Sequence, residues 1–225
     1  MATEYRHEWK FEISRFDMYQ LRQSLSAVCR RDEHAIDGKY HIRSLYFDDL
    51  SDKALREKIN GVNEREKFRI RFYNFDTSVI HLEKKCKING VGKKLSANLT
   101  KEEAEKIADA DYEWMISDGR PLLKDLYVKM HNEGLRPKTV VDYTREPFIF
   151  DAGNVRVTLD YDIRTGLLST DFLNSDMITI PAGGDVILME VKWDDFLPDI
   201  IKDAIALKGV RAGAFSKYAQ CRIYG

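Results

Sequence analysis

Apolar and polar positions alternate with a spacing of two through much of this chain, which is the signature of strands with one buried face. The alternation predicts strands over Tyr5–Ser14, Arg43–Asp48, Glu66–Phe75, Ser78–Ile88, Lys138–Arg145, Pro147–Phe150, Val155–Asp160 and Val186–Trp193. A turn near Asp76-Thr77 joins two of them. Helical spacing appears over Asp17–Cys29, with Asp17 near the N-cap, and over Ser51–Ile59, begun by Ser51. Thr100 followed by Glu103 is a capping box that opens a helix to about Ala110. Pro121 begins a helix to His131, and Phe196–Leu207 and Ala214–Cys221 close the chain as helices. The class expected is α+β, dominated by antiparallel strands. No repeat, low-complexity tract or linker divides the 225 residues, so a single domain over 1–225 is expected.

Strand parity sorts the charges. Glu8, Lys10 and Glu12 share a face opposite Trp9, Phe11 and Ile13. Lys67, Arg69 and Arg71 oppose Phe68, Ile70 and Phe72, and His81, Glu83, Lys85 and Lys87 oppose Ile80, Leu82, Cys86 and Ile88. Arg156, Thr158 and Asp160 oppose Val155, Val157 and Leu159, and Glu190 and Lys192 oppose Met189, Val191 and Trp193. Two architectures fit this pattern. One is an ordinary sheet with its charged face in water. The other is a barrel with a charged interior and apolar faces packed outward against helices. Recurrence of arginine and carboxylate on nearly every strand, where a solvated face would also carry Ser, Thr and Gln, favours the barrel. So does the aromatic content of the opposite faces. A cavity lined by Arg and Lys with a few Glu suits a polyphosphate and a divalent metal.

Charge sharpens this picture. The 36 Lys and Arg nearly balance 37 Asp and Glu, which argues against a general nucleic-acid binder. Between Glu64 and Lys94, however, nine bases face four acids, a focused basic field. The 44% hydrophobic content excludes a disordered chain. Apolar runs such as Val186–Met189 are too short to cross a bilayer, and the charged start Met1–Glu8 does not read as a signal peptide. Cys29, Cys86 and Cys221 are odd in number and far apart, so a reduced, cytoplasmic protein is expected.

The familiar catalytic motifs are missing. Gly90-Val-Gly92-Lys93-Lys94 imitates a P-loop, but Lys87 stands where the first Gly belongs and Lys94 where Ser or Thr would bind magnesium. The segment reads instead as a hairpin turn followed by two basic residues. The five histidines have no zinc spacing, there is no Gly-x-Ser-x-Gly elbow, and no cysteine is activated by its neighbours in sequence.

Several fragments, in order, carry a family resemblance. They are His7-Glu-Trp-Lys10-Phe-Glu12, Ser44-Leu-Tyr-Phe-Asp-Asp49, Arg65-Glu-Lys67-Phe-Arg69-Ile-Arg71-Phe-Tyr73, Leu82-Glu83-Lys-Lys85, Tyr143-Thr-Arg145, Val155-Arg156-Val-Thr-Leu-Asp160, Met189-Glu190-Val-Lys192 and Phe215-Ser-Lys217-Tyr218. Over almost its whole length the chain resembles a VTC domain, the polyphosphate polymerase branch of the triphosphate tunnel metalloenzymes with the CYTH-like fold. The resemblance implies an antiparallel eight-stranded tunnel-like β-barrel with a charged interior and helices packed outside. It implies that Lys10, Arg69, Arg71, Lys85, Lys94, Arg145, Arg156, Lys192 and Lys217 grip phosphates, and that Glu190 holds Mn²⁺ or Mg²⁺. Lys93 competes with Lys94 for one of these roles. The wider family opens with Glu-x-Glu-x-Lys, whereas this chain has Glu8-x-Lys10-x-Glu12. Fungal members also carry membrane segments and a separate phosphate-sensing domain. Neither occurs in this sequence, so a membrane partner is expected wherever product is exported.

The implied activity is a polymerase that moves the terminal phosphoryl group of ATP onto inorganic polyphosphate. A metal-dependent tri- or polyphosphate hydrolase and a non-catalytic polyphosphate or nucleotide sensor are the alternatives. A carboxylate such as Glu190 among the cations tells against the sensor, although pairing with Lys192 or an arginine would also account for it.

Overall fold

The computed structural model describes residues 6–88 and 91–224. Tyr5, where the first strand was expected to begin, and Gly90 in the expected hairpin turn lie outside the described residues. The strands are β1 (His7–Ile13), β2 (Arg30–Arg31), β3 (Tyr40–Asp48), β4 (Arg65–Tyr73), β5 (Asp76–Ile88), β6 (Val91–Leu99), β7 (Arg136–Phe150), β8 (Val155–Thr165), β9 (Ile180–Pro181) and β10 (Ile187–Trp193). The α-helices are α1 (Arg15–Val28), α2 (Lys53–Ile59), α3 (Lys101–Ala108), α4 (Pro121–Asn132), α5 (Asp199–Ala204) and α6 (Lys217–Cys221). Hydrogen-bonded neighbours follow the order β1-β10-β8-β7-β3-β4-β5-β6, with β2 added to β7 and β9 to β8. Eight strands thus form the main path, the number the resemblance implies, and the strand pairs with a described register are antiparallel.

The chain forms two compact units that interleave in sequence. One comprises Met1–His41, Tyr143–Ile163 and Gly183–Phe215; the other comprises Ile42–Asp142, Arg164–Ala182 and Ser216–Gly225. Each has its own core. In the first, Met18, Leu21 and Leu25 of α1 and Ile201 of α5 pack with Val157, Leu159, Met189 and Val191. In the second, Leu123, Leu126 and Met130 of α4 and Ala104 and Ile107 of α3 pack with Phe68, Ile70, Phe72 and Leu82. The apolar faces are those that parity assigns. On the opposite faces Arg69, Arg71, Glu83, Asp160 and Glu190 are buried, whereas Glu8, Glu12, Lys87 and Lys94 reach solvent. Buried ions need counter-charges, and Arg69 pairs with Glu83 while Asp160 and Glu190 meet Arg145. Among the described residues no helix is long and apolar enough to cross a membrane.

Local chemistry sets the element ends, and several differ from expectation. Ser14, not Asp17, is the N-cap of α1; Asp17 is the third helical residue and completes a capping box. Asp52, in a left-handed conformation at φ 54°, precedes α2 in place of Ser51. The turn between β4 and β5 is Asn74-Phe75, with φ of 52° and 56°, not Asp76-Thr77. Two successive positive φ values match the twist of a two-residue hairpin, and Asn tolerates them. Phe75 does so at a cost, offset by ring contact with Phe72 at 6.5 Å and by the Arg43 guanidinium 4.9 Å above it. The segment read as a turn plus two lysines is strand β6, paired with β5 from Ile88↔Val91 to Ile80↔Leu99. β7 runs unbroken through Pro147 rather than as two strands.

The core assignment predicts that Phe68→Ala lowers the unfolding free energy by about 3–5 kcal/mol, because a buried ring leaves a cavity that close-packed neighbours cannot fill. Denaturant titration of that variant measures it, and a loss under about 1 kcal/mol would show that Phe68 does not carry the core.

Candidate functional site

The charged faces gather into two clusters, one in each unit. The first is built across β3, β4, β5 and β6. Antiparallel register sets Tyr46 against Arg69 and Arg69 against Glu83, and on a parallel row Ser44 against Arg71 and Arg71 against His81. A third row aligns Lys67, Lys85 and Lys94 on three successive strands. Arg69 donates to Glu83 Oε2 from Nε at 2.6 Å, with Nη2 2.5 Å from the same oxygen, and from Nη1 to the Tyr46 hydroxyl at 2.9 Å. Arg71 Nε donates to Ser44 Oγ at 2.9 Å. Lys94 Nζ lies 3.1 Å from Glu83 Oε1.

Burial pushes the Glu83 carboxyl upward, but Arg69, Arg71, Lys94 and Lys85 outweigh it and hold that carboxyl far below the usual carboxylate range. Tyr46 responds to the same field. Burial raises its phenol, yet the charges of Arg69, Lys67 and Arg71 and the hydrogen bond from Arg69 pull it down to about 7. The Tyr46 ring also stacks on Tyr218 at 5.2 Å, and the Tyr218 hydroxyl donates to Asp48 at 2.6 Å. This ties α6, which carries the buried Lys217, to the tyrosine that meets Arg69.

The second cluster is built across β1, β10, β8 and β7. Register aligns Lys10, Glu190 and Thr158 in one row and Glu8, Lys192 and Arg156 in the next. Glu190 lies 3.5 Å from Lys10 and 3.1 Å from Lys192, and both lysines also reach Glu8, at 3.3 and 3.2 Å. Arg145 spans Asp160 with two 2.6 Å bonds and touches Glu190 at 3.4 Å. Burial opposes the charge on Arg145, but Asp160 overrides it and the guanidinium stays firmly protonated.

Of the residues expected at the site, the structure therefore brings Arg69, Arg71, Lys85 and Lys94 around Glu83, and Lys10, Arg145 and Lys192 around Glu190. Arg156 instead turns to Asp32, at 3.5 Å. Lys217 sits on α6 rather than on a strand. Lys93 is opposite Cys86 in the register and so on the other face from Lys94. Two counter-charges, Glu83 and Asp160, stood on the charged faces by parity but outside the expected ligand set. Tyr46 was missed; its signal is the alternation Ser44-x-Tyr46-x-Asp48 within β3. The three thiols are free, and burial raises each, Cys29 to about 11 and Cys221 to about 12, so none is primed as a nucleophile.

The family resemblance implies a divalent metal. Among the described residues no three His, Cys, Asp or Glu side chains gather as a metal-binding group. Glu190 and Glu8, bridged by the same two lysines, supply two hard carboxylates. That donor set fits Mn²⁺ or Mg²⁺ when phosphate oxygens complete the coordination.

A family model described as "VTC domain" matches residues 5–223. No curated protein matches the chain. Among solved structures, HpAC1 of Hippeastrum, a candidate adenylyl cyclase described as having a dominant triphosphatase activity, is similar at 14% identity and a TM-score of 0.58, over 97% of this chain and 95% of that one. A candidate adenylate cyclase from Bacillus halodurans is similar at 15% identity and a TM-score of 0.54, over 85% and 82%. At these identities the likeness establishes a shared fold, the α+β architecture with eight antiparallel strands.

The electrostatics of the first cluster predict a spectroscopic marker. In ligand-free protein one tyrosine should ionise near pH 7, its ultraviolet tyrosinate band growing as pH rises through that value and missing from Tyr46→Phe. A titration with no tyrosinate below pH about 9 would mean that the three cations do not act together on Tyr46.

Proposed function

Since the chain belongs to the VTC domain family, we propose that it is a polyphosphate polymerase using ATP as phosphoryl donor. The observation that carries this reading is the set of four cations that act on the one buried carboxylate of Glu83: the buried Arg69 and Arg71, the half-buried Lys85 and the exposed Lys94. Lys67, Lys85 and Lys94 also stand side by side across three strands. A row of three cations on neighbouring strands sets up a continuous positive edge that attracts a polyanion. A phosphate chain supplies anionic oxygens at short, regular intervals, and arginine forks grip them bidentately.

In the reaction, an ionised terminal oxygen of the polyphosphate attacks the γ-phosphorus of ATP. A new P–O bond forms, the bond from the γ-phosphorus to the bridging oxygen breaks, and its electron pair leaves on ADP. The acceptor already carries its charge, so no general base is required. Catalysis reduces to alignment and neutralisation of developing charge. Arg69, Arg71, Lys85 and Lys94 take phosphate oxygens in one cluster, and Lys10, Arg145 and Lys192 in the other. Arg156 and Lys217 complete the grip by family resemblance. Glu190, with Glu8 beside it, would hold a divalent ion, which when bound would supply charge neutralisation at the transferring phosphates.

Hydrolysis of a triphosphate, suggested by the activity described for HpAC1, is the second reading. It needs a base to take a proton from water. His81, the histidine on the charged face of β5, meets the Asn98 carboxamide oxygen at 2.9 Å rather than a carboxylate. This supports polymerisation over hydrolysis.

Incubation with ATP and Mn²⁺ should give ADP and a ladder of polyphosphate on a gel, weakened by high salt because the grip is ionic. Orthophosphate alone, with no ladder even from a short polyphosphate primer, would establish the hydrolase. Binding without turnover would establish the sensor. Glu190→Gln should lower turnover by about two orders of magnitude or more while tripolyphosphate still binds. Undiminished turnover in that variant would remove Glu190 from metal binding.

A further inference from the structure

The described residues include very few buried side-chain polar atoms without a hydrogen-bond partner, and two of them are two residues apart on one strand face. They are Thr158 Oγ1 and Arg156 Nε of β8. Thr158 is 3% exposed, so water cannot satisfy its hydroxyl from bulk. A buried hydroxyl left unpaired loses its hydration without return, which makes an orphan on a strand face a feature in need of a cause. A threonine on a strand commonly finds a carbonyl or a cross-strand partner; this one does not. Its cross-strand neighbour is Glu190, and the neighbour of Arg156 is Lys192. Strand parity sends all four toward the same face. Both orphan atoms are N–H or O–H groups, able to donate to an anion.

Resting on the polyphosphate reading of this cluster, we propose that Thr158 is a substrate-contacting residue whose hydroxyl donates to a phosphate oxygen beside Glu190. A hydroxyl suits this position. It adds a directional donor without another positive charge, where Lys10, Arg145 and Lys192 already surround Glu190. In the ligand-free protein the hydroxyl is unpaired, so its removal takes nothing from the fold. In the complex it is paired to a charged acceptor, so its removal takes a hydrogen bond from binding alone.

The test is calorimetric titration of tripolyphosphate into wild type, Thr158→Val and Thr158→Ser, with thermal melts of the three proteins without ligand. Valine keeps the branched shape and suits a strand. The expectation for Thr158→Val is an unchanged or raised melting temperature with binding weaker by about tenfold. Thr158→Ser should bind nearly as wild type does. Equal binding by wild type and Thr158→Val would overturn the inference while leaving the polyphosphate reading intact. A lowered melting temperature in Thr158→Val with proportionate loss in Thr158→Ser would assign the hydroxyl to the fold and equally overturn it. Failure of wild type itself to bind tripolyphosphate would remove the underlying reading, and the inference with it.

Discussion

A guanidinium or ammonium group withdrawn from water must keep a negative partner, and here each charged cluster is organised around a buried carboxylate. Arg69 and Lys94 close on Glu83. Lys10, Lys192 and Arg145 close on Glu190, and Arg145 is pinned further by Asp160. Without these carboxylates the cations would repel one another across strands only about 5 Å apart. With them, the faces are tolerable, and around Glu83 several cations share one carboxylate. The carboxylates act as internal counter-ions that hold a cation-rich surface in place before any anion arrives.

The same strands that display this chemistry also build the cores. Phe68, Ile70 and Phe72 alternate with Lys67, Arg69 and Arg71, so packing under α3 and α4 fixes the height and direction of every arginine on β4. Val157 and Leu159 do likewise for Arg156, Thr158 and Asp160. A one-residue slip would send the charges into the apolar layer and the rings out of it, so register is enforced from both sides. Preorganisation of the cations is therefore a consequence of core packing, which suits a reaction that relies on alignment more than on proton transfer.

Period-two alternation made these faces legible in the sequence. It separated the arginines from the aromatic residues on β4, and the carboxylates from the apolar residues on β8 and β10, because a half-buried strand cannot mix them. It was blind where the strand signal is weak. β6 runs Val91-Gly-Lys-Lys-Leu-Ser-Ala-Asn-Leu99, whose small and polar residues have little preference for extended structure; its pairing to β5 makes it a strand. Pro147 looked like a strand end because it lacks an N–H, yet β7 continues through it. The ion pairs were legible only in part. Parity placed Glu83 with the cations, but its contact with Arg69 depends on register, and register depends on the Asn74-Phe75 turn. Tyr46 was hidden because an aromatic residue in a strand reads first as core, and only its bond from Arg69 reveals it as part of the charged face. The orphan hydroxyl of Thr158 has no signature in sequence at all.

Whether Glu83 is an internal counter-ion in competition with substrate is open to direct measurement. Isothermal titration of tripolyphosphate into wild type and Glu83→Gln at low ionic strength compares the cation cluster with and without its own anion. Glutamine preserves shape and removes the charge. If the cations around Glu83 exist to take a polyanion, Glu83→Gln binds tripolyphosphate more tightly than wild type and is stabilised more strongly by it. Equal or weaker binding by Glu83→Gln, with no extra stabilisation, would contradict a site built on surplus positive charge.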